Sequence, residues 1–116
     1  MNQRHCYDFS IADLSSARGE LAELAFDGAG PNHLAAALQE ALRYPGFHHQ
    51  WVQLTGASEA EAATLGLTDD QALAKARLAD LAVDLEVITT LPMRIVRHRL
   101  SLLIGEHWQL RDVRNA

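Results

Sequence analysis

The sequence predicts an all-α fold, a compact bundle of four to five helices in which the last two are long and amphipathic. Alanine and leucine, both strong helix formers, supply 19 and 18 of the 116 residues. Glycine and proline stand between segments of helical periodicity, as at Gly28, Pro31 and Pro92. The longest segment repeats its apolar residues with alternating spacings of four and three. Helices joined by short loops indicate a bundle.

The first half of the chain predicts three helices. Ser10, with Asp13 placed as in a capping box, begins a helix that ends near Asp27. Pro31 suits the first turn of a second helix over 31–44, which the following Pro-Gly pair stops. Apolar residues at intervals of four and three within 47–54 predict a short third helix.

Two further capping boxes follow, Ser58 with Glu61 and Thr68 with Gln71. The first opens a short helix that ends at Gly66. The second opens the longest predicted helix, over about 68–90. Its heptad seam is formed by Leu67, Gln71, Ala74, Leu78, Leu81, Leu85 and Ile88.

A last helix is predicted from Pro92 to 104, or to 112 if it passes through Gly105. Its seam consists of Met93, Val96, Leu100, Leu103, His107 and Leu110. Two long helices with such stripes expose more apolar surface than a small bundle encloses. We therefore expect a homodimer that forms through these last two helices.

Length and composition indicate one domain over 1–116, with 1–9 as a flexible N-terminal arm. The lone Cys6 excludes an intrachain disulfide. The N-terminus has no apolar core typical of a signal peptide, and no apolar run is long enough to span a membrane. The sequence therefore predicts a cytoplasmic protein without a membrane partner.

Charge is segregated along the chain, whose formal net charge is −5. This balance argues against a nucleic-acid partner, which attracts cationic surfaces. Residues 58–90 are acidic, whereas 91–116 carry an excess of arginine. Arg94, Arg97 and Arg99 are candidate partner-binding residues, because the guanidinium group suits carboxylates. The alternative is that this basic helix packs against the acidic helix of its own chain.

Histidine and tryptophan supply the other candidate site residues. His48, His49, His98 and His107 are candidate metal ligands, although none of them forms a pair with the helical spacing typical of zinc sites. Trp51 and Trp108 each lie near histidines and are candidates for a partner-binding groove. The alternatives are scattered surface histidines and tryptophans that plug the ends of the bundle. No cofactor is predicted.

Residues 58–73 resemble the helix-turn-helix of phage-repressor type. Ala62 stands four residues before Gly66, which is flanked by Leu65 and Leu67, and Thr68 would start the recognition helix. This resemblance implies a DNA-binding regulator as an alternative function. The pattern departs from the family at the two aspartates after Thr68, which would repel DNA phosphates.

No motif of nucleophilic, phosphate-binding or paired-carboxylate chemistry occurs, so an enzyme is not predicted. The sequence favours a small non-enzymatic interaction or regulatory module. Its expected partners are a second copy of itself and a protein that the sequence does not identify. A histidine-based metal- or ligand-binding protein is the remaining alternative.

Overall fold

The fold combines a β-sheet with helices, so the prediction of an all-α helical bundle is wrong. The computed structural model describes residues 3–28 and 30–116. Within them a four-stranded antiparallel sheet packs against helices. The elements are β1 His5–Ile11, α1 Pro31–Arg43, α2 Gly46–Thr55, α3 Glu59–Leu65, β2 Leu73–Ala79, β3 Ala82–Thr89, α4 Met93–Ile104 and β4 Gln109–Asn115.

The strand order across the sheet is β2-β3-β1-β4, and all neighbouring strands are antiparallel. Three helices connect β1 to β2, and α4 connects β3 to β4. If α1–α3 are counted as one connection, the order is β-α-β-β-α-β, the split arrangement of ferredoxin-like folds. The first strand lies in the centre, where His5 opposes both Thr89 and Asn115. The arrangement leaves β2 and β4 as the edges.

The predicted long helix over 68–90 is instead the hairpin of β2 and β3. Alternate residues of β3 are buried, which is the period of a strand with one covered face. The loop is only Asp80-Leu81, and Asp80 has a φ of 58°, a conformation that aspartate tolerates. The apolar residues of this segment fit both a helical and a strand period. Pairing of β3 with β1 stabilises the strand. One of the two helices predicted to form a homodimer is therefore absent.

The beginning of the chain also forms a strand instead of the predicted arm and helix. Met1 and Asn2 of the predicted arm lie outside the described residues. In β1 the side chains of Tyr7, Phe9 and Ile11 enter the core between sheet and helices. Residues 17–28, predicted as helix, form turns and irregular structure. The strand is favoured because its alternating aromatic and branched side chains fill the sheet face.

The irregular segment packs its backbone directly against the end of α4. The Leu103 carbonyl accepts hydrogen bonds from the Gly19 and Phe26 amides at 3.1 and 2.8 Å. A Cβ atom on Gly19 would lie 2.1 Å from the Leu102 carbonyl oxygen. Only glycine therefore fits this close approach.

Three helices lie where the sequence predicts them. Pro31 begins α1, α2 covers the predicted third helix, and α3 begins after Ser58. The Ser58 Oγ accepts from the Glu61 amide at 3.2 Å, as a capping box requires. After Gly66 the chain is irregular and then enters β2. The recognition helix of the helix-turn-helix interpretation is thus absent, and the DNA-binding alternative is not supported.

The last predicted helix is confirmed as α4, but it ends at Ile104, and its extension to 112 is wrong because 109–115 form β4. Gly105 follows α4 with a φ of 70°. No described helix is long and apolar enough to cross a membrane. The core between helices and sheet includes Tyr7, Phe9, Ile11, Leu34, Leu38, Leu42, Val83, Leu85, Val87, Ile95, Val96, Leu100 and Ile104.

Candidate functional site

The sheet face opposite the core is polar and forms a concavity of about 840 Å³. Residues of all four strands line it, among them Asp8, Glu86 and Arg114. Asp8 in β1 opposes Glu86 on one side and Asp112 on the other. Three acidic residues therefore form a row across the sheet, a repulsive arrangement unless a cation lies between them.

That cation is Arg114 of β4. One of its terminal nitrogens donates to Asp8 and, at 3.2 Å, to Asp112. The other donates to Glu86 at 3.3 Å. The hydrogen bond to Asp8 contributes most to a raised pKa of Arg114, so the guanidinium stays charged. Arg114 thus offsets part of the repulsion within the acidic row and ties β4 to both central strands.

Cys6 joins this row as a third metal-ligating group. Its Sγ and one carboxylate oxygen each of Asp8 and Glu86 lie within 4.8 Å of one another. Among the described residues no other three such side chains converge in this way. A thiolate with carboxylates is a donor set that accepts zinc. Arg114 already binds both carboxylates, so a divalent cation would have to displace it.

The Cys6 thiol is buried and protonated. Burial raises its pKa most, and the negative charge of Glu86 raises it further. A protonated thiol is a poor nucleophile and a poor metal ligand. The geometry therefore supports a structural thiol at this position.

We expect Cys6 in the folded protein to react with iodoacetamide at pH 8 about a hundredfold more slowly than in the unfolded chain. Burial limits access of the reagent to the sulfur, and the raised pKa lowers the fraction of thiolate. Mass spectrometry of timed samples, with and without denaturant, measures the two rates. Equal rates would show that the thiol is accessible and would contradict this description.

Strand β4 is the most exposed element of the sheet. All seven of its residues are exposed, and within the described part of the chain only one of its edges is paired, with β1. Leu110 and Val113 oppose the core residues Phe9 and Tyr7 of β1, yet remain 40% and 48% exposed. The other edge strand, β2, differs because α1 packs beside it and its alanines adjoin the core.

The predicted histidine ligands come together in part. His98 contacts Trp51 edge to face at 4.5 Å between ring centroids, and His48 lies 5.6 Å from the same tryptophan. His49 adjoins His48 at 6.4 Å. His107 is exposed and lies beyond the end of α4. The metal hypothesis gains no three-ligand set from the described histidines.

His48 is 5% exposed and caps the carboxyl end of α3 with its side chain. Its Nε2 lies 2.8 Å from the Ala62 carbonyl, one of the helix carbonyls that have no partner within α3. Its Nδ1 is buried and has no hydrogen-bond partner among the residues that the structure describes. Burial lowers the pKa of His48, so we assign a neutral ring that donates from Nε2.

Arg99, predicted to bind a partner, is fully buried. Its guanidinium donates to the carbonyls of Leu65 and Leu67 at 2.7 and 3.2 Å, and its Nε donates to Ala41 at 3.3 Å. Burial lowers its pKa to about 10, so it remains charged at neutral pH. Arg99 therefore stabilises the carboxyl ends of α1 and α3 and cannot reach a partner's surface.

The other predicted partner-binding residues differ in position. Arg94 and Arg97 are exposed on α4 and form no ion pair within the described residues. Trp51 is buried. Trp108 is half-buried, contacts Phe9 edge to face and donates to the Ser101 hydroxyl at 3.2 Å. Trp51 is therefore internal and Trp108 is accessible in part, while the two exposed arginines stay available to a partner.

The sequence pattern did not predict a site at Asp8, Glu86 and Arg114 or the exposed strand β4. A signal existed for the first two, because each alternates with apolar neighbours in a strand pattern. Arg114 and β4 had none, since Leu110 and Val113 are three residues apart, which is not the period of a strand. Comparison with protein-family models, curated proteins and solved structures found no match for the chain.

Proposed function

We propose that the protein is a non-enzymatic interaction module that binds an extended segment of a partner along the free edge of β4. The exposure of all seven β4 residues is the observation that carries this proposal. A free strand edge is a template for another strand, and main-chain hydrogen bonds supply much of the affinity of such complexes. The buried, protonated Cys6 fits a reducing cytoplasm and needs no catalytic role.

The main-chain groups that would bind the partner follow from the pairing with β1. The Ala116 amide donates to the Arg4 carbonyl at 3.2 Å. Bonded and non-bonded residues alternate in an antiparallel pair. Arg114 and Asp112 therefore direct their main-chain groups toward β1, whereas Val113 directs its own outward. Asn115 and Leu110 share this outward orientation.

The side chains of β4 would provide specificity. Leu110 and Val113 share the side of the sheet that carries the core, and an apolar partner residue would bury them further. Arg111 and Asp112 lie on the polar face and offer one charge of each sign. The exposed Arg94 and Arg97 on α4 remain candidates for orienting an acidic partner.

The test uses Val113→Pro, which removes an outward amide without removing a hydrogen bond to β1. A phage-displayed library of random heptapeptides is selected on the wild type and on this variant. We expect peptides enriched on the wild type that bind Val113→Pro at least tenfold more weakly. They should also slow hydrogen exchange of the Val113 amide in the wild type.

Val113→Thr is the matched control, because it keeps both the amide and the branched side chain. We expect it to bind the selected peptides as the wild type does. Absence of peptides enriched on the monomeric protein, or equal binding by the wild type and Val113→Pro, would refute the proposed function. Circular dichroism verifies that both variants retain the fold.

A further inference from the structure

We infer that the extended segment is β4 of a second copy, paired antiparallel so that Leu110 of one chain opposes Val113 of the other. This inference rests on the proposed function and names its partner. It depends on three matching features of the strand. These are the positions of its outward main-chain groups, its bulge and its charges.

The bulge sets the spacing of β4. Asp8 opposes Asp112, and Phe9, the next residue of β1, opposes Leu110, so Arg111 is the extra residue. Two successive residues, Arg111 and Asp112, therefore occupy the polar side together. Leu110 and Val113, whose main-chain groups point outward, are therefore three positions apart in sequence, whereas such residues are two positions apart in a regular strand.

A strand with this spacing needs a partner with the same spacing. Two-fold symmetry supplies it, because the bulge of one copy then lies opposite the bulge of the other. Leu110 of each chain opposes Val113 of the second copy, and outward groups meet outward groups at both positions. A bulge ordinarily turns an edge away from other strands. Here the bulge of one copy faces the same bulge in the second copy, so the two strands can still pair.

The side chains agree with this register. Each Leu110 contacts a Val113 of the second copy on the core side, which covers two exposed apolar residues. On the polar side each Arg111 opposes Asp112 of the second copy, an opposite-charge pair that favours antiparallel strands. Arg111 forms no ion pair within the described part of its own chain. The second copy therefore supplies its counter-charge.

A competing register places Val113 opposite Val113 and Asp112 opposite Arg114 of the second copy. It sets the bulge of one strand against a regular stretch of the other, which breaks the hydrogen-bond ladder. It also requires a counter-charge role from Arg114, which already binds Asp8, Glu86 and Asp112 of its own chain. The register with matched bulges therefore forms more main-chain hydrogen bonds and opposite-charge pairs between the two strands.

Charge reversal tests the register. Arg111→Asp and Asp112→Arg each place like charges opposite one another twice in the dimer, and we expect each to raise the dimer dissociation constant at least tenfold. The double variant restores both opposite-charge pairs and should return to within about threefold of the wild type. In the competing register it would place arginine opposite Arg114, so no rescue would occur. Sedimentation velocity over a range of concentrations measures the constants.

Asp70→Arg is the control, since Asp70 is exposed far from β4 in sequence and carries the same charge reversal. It should dimerise as the wild type does. A wild type that stays monomeric, or single variants that dimerise normally, would overturn the inference. A monomer that still binds selected heptapeptides would overturn only the second copy as partner. A monomer that binds none would overturn the proposed function as well.

Discussion

Replacing Arg99 with methionine is expected to lower the free energy of unfolding by about 3 kcal/mol. Methionine keeps much of the apolar stem but leaves the carbonyls of Ala41, Leu65 and Leu67 without their donors. A buried acceptor that loses its partner costs about 1–3 kcal/mol. Removal of a buried charge offsets part of that cost. Urea unfolding followed by circular dichroism gives the value.

The effect should be concentrated in α2 and α3. No residue of α3 is buried, and α2 buries only His48 and Trp51. Contacts made by Arg99 and His48 therefore hold much of this segment in place. Hydrogen exchange of α3 amides should accelerate in Arg99→Met more than exchange in the sheet does.

Arg97→Met is the matched control, because Arg97 is exposed on the same helix. We expect its free energy of unfolding to change by less than about 0.5 kcal/mol. An Arg99→Met protein as stable as Arg97→Met would show that the three hydrogen bonds of Arg99 contribute nothing net. Stabilisation of the Arg99 variant would show that the burial cost of its charge exceeds those bonds.

Acidification is expected to destabilise the protein between pH 6.5 and about pH 4. Burial most of all, and then the positive charge of Arg99, lower the pKa of His98 to about 4. The folded protein therefore binds fewer protons than the unfolded chain throughout this window, so stability falls as pH falls. Below the folded pKa the loss is complete. His48, whose pKa burial also lowers, acts in the same direction.

The contribution of His98 is about 2 kcal/mol, because its partial exposure screens the full effect of the shift. His98→Gln removes the titrating group and should therefore flatten the pH dependence by that amount. Free energies of unfolding at a series of pH values between 4 and 7 measure it. The difference between wild type and variant isolates His98 from the other titrating groups.

His107→Gln serves as the control for the same substitution at an exposed histidine. It should keep the pH dependence of the wild type. If His98→Gln retained the full acid sensitivity, protonation of the buried His98 would not be its source. Greater stability of the wild type at pH 5 than at pH 7 would reverse the predicted sign.

Local sequence signals predicted an element correctly where residues within that element determine its structure. Pro31 and the capping box of Ser58 and Glu61 predicted the starts of α1 and α3, because a helix start is determined by neighbouring residues. The segment ended by Gly105 was likewise predicted as a helix up to Ile104. These predictions needed no contact with the rest of the chain.

Local signals gave the wrong structure where one pattern of apolar residues was compatible with both a helix and a strand. Residues 68–90 satisfy both a helical and a strand period, and alanine and leucine favoured the helix. Pairing of β3 with β1, more than seventy residues away in sequence, made it a strand. Such a partner leaves no local trace in either segment.

The candidate sites divide in the same way. The sequence alone established a small acidic chain with one thiol, an arginine-rich final segment and the local helix starts. Tertiary structure decided that Arg99 is internal while Arg114 joins three carboxylates, although both are arginines of that segment. It also left β4 exposed. The burial of a side chain and the pairing of a strand depend on contacts between segments that are far apart in sequence. The packing of the whole chain determines those contacts, and no single segment does.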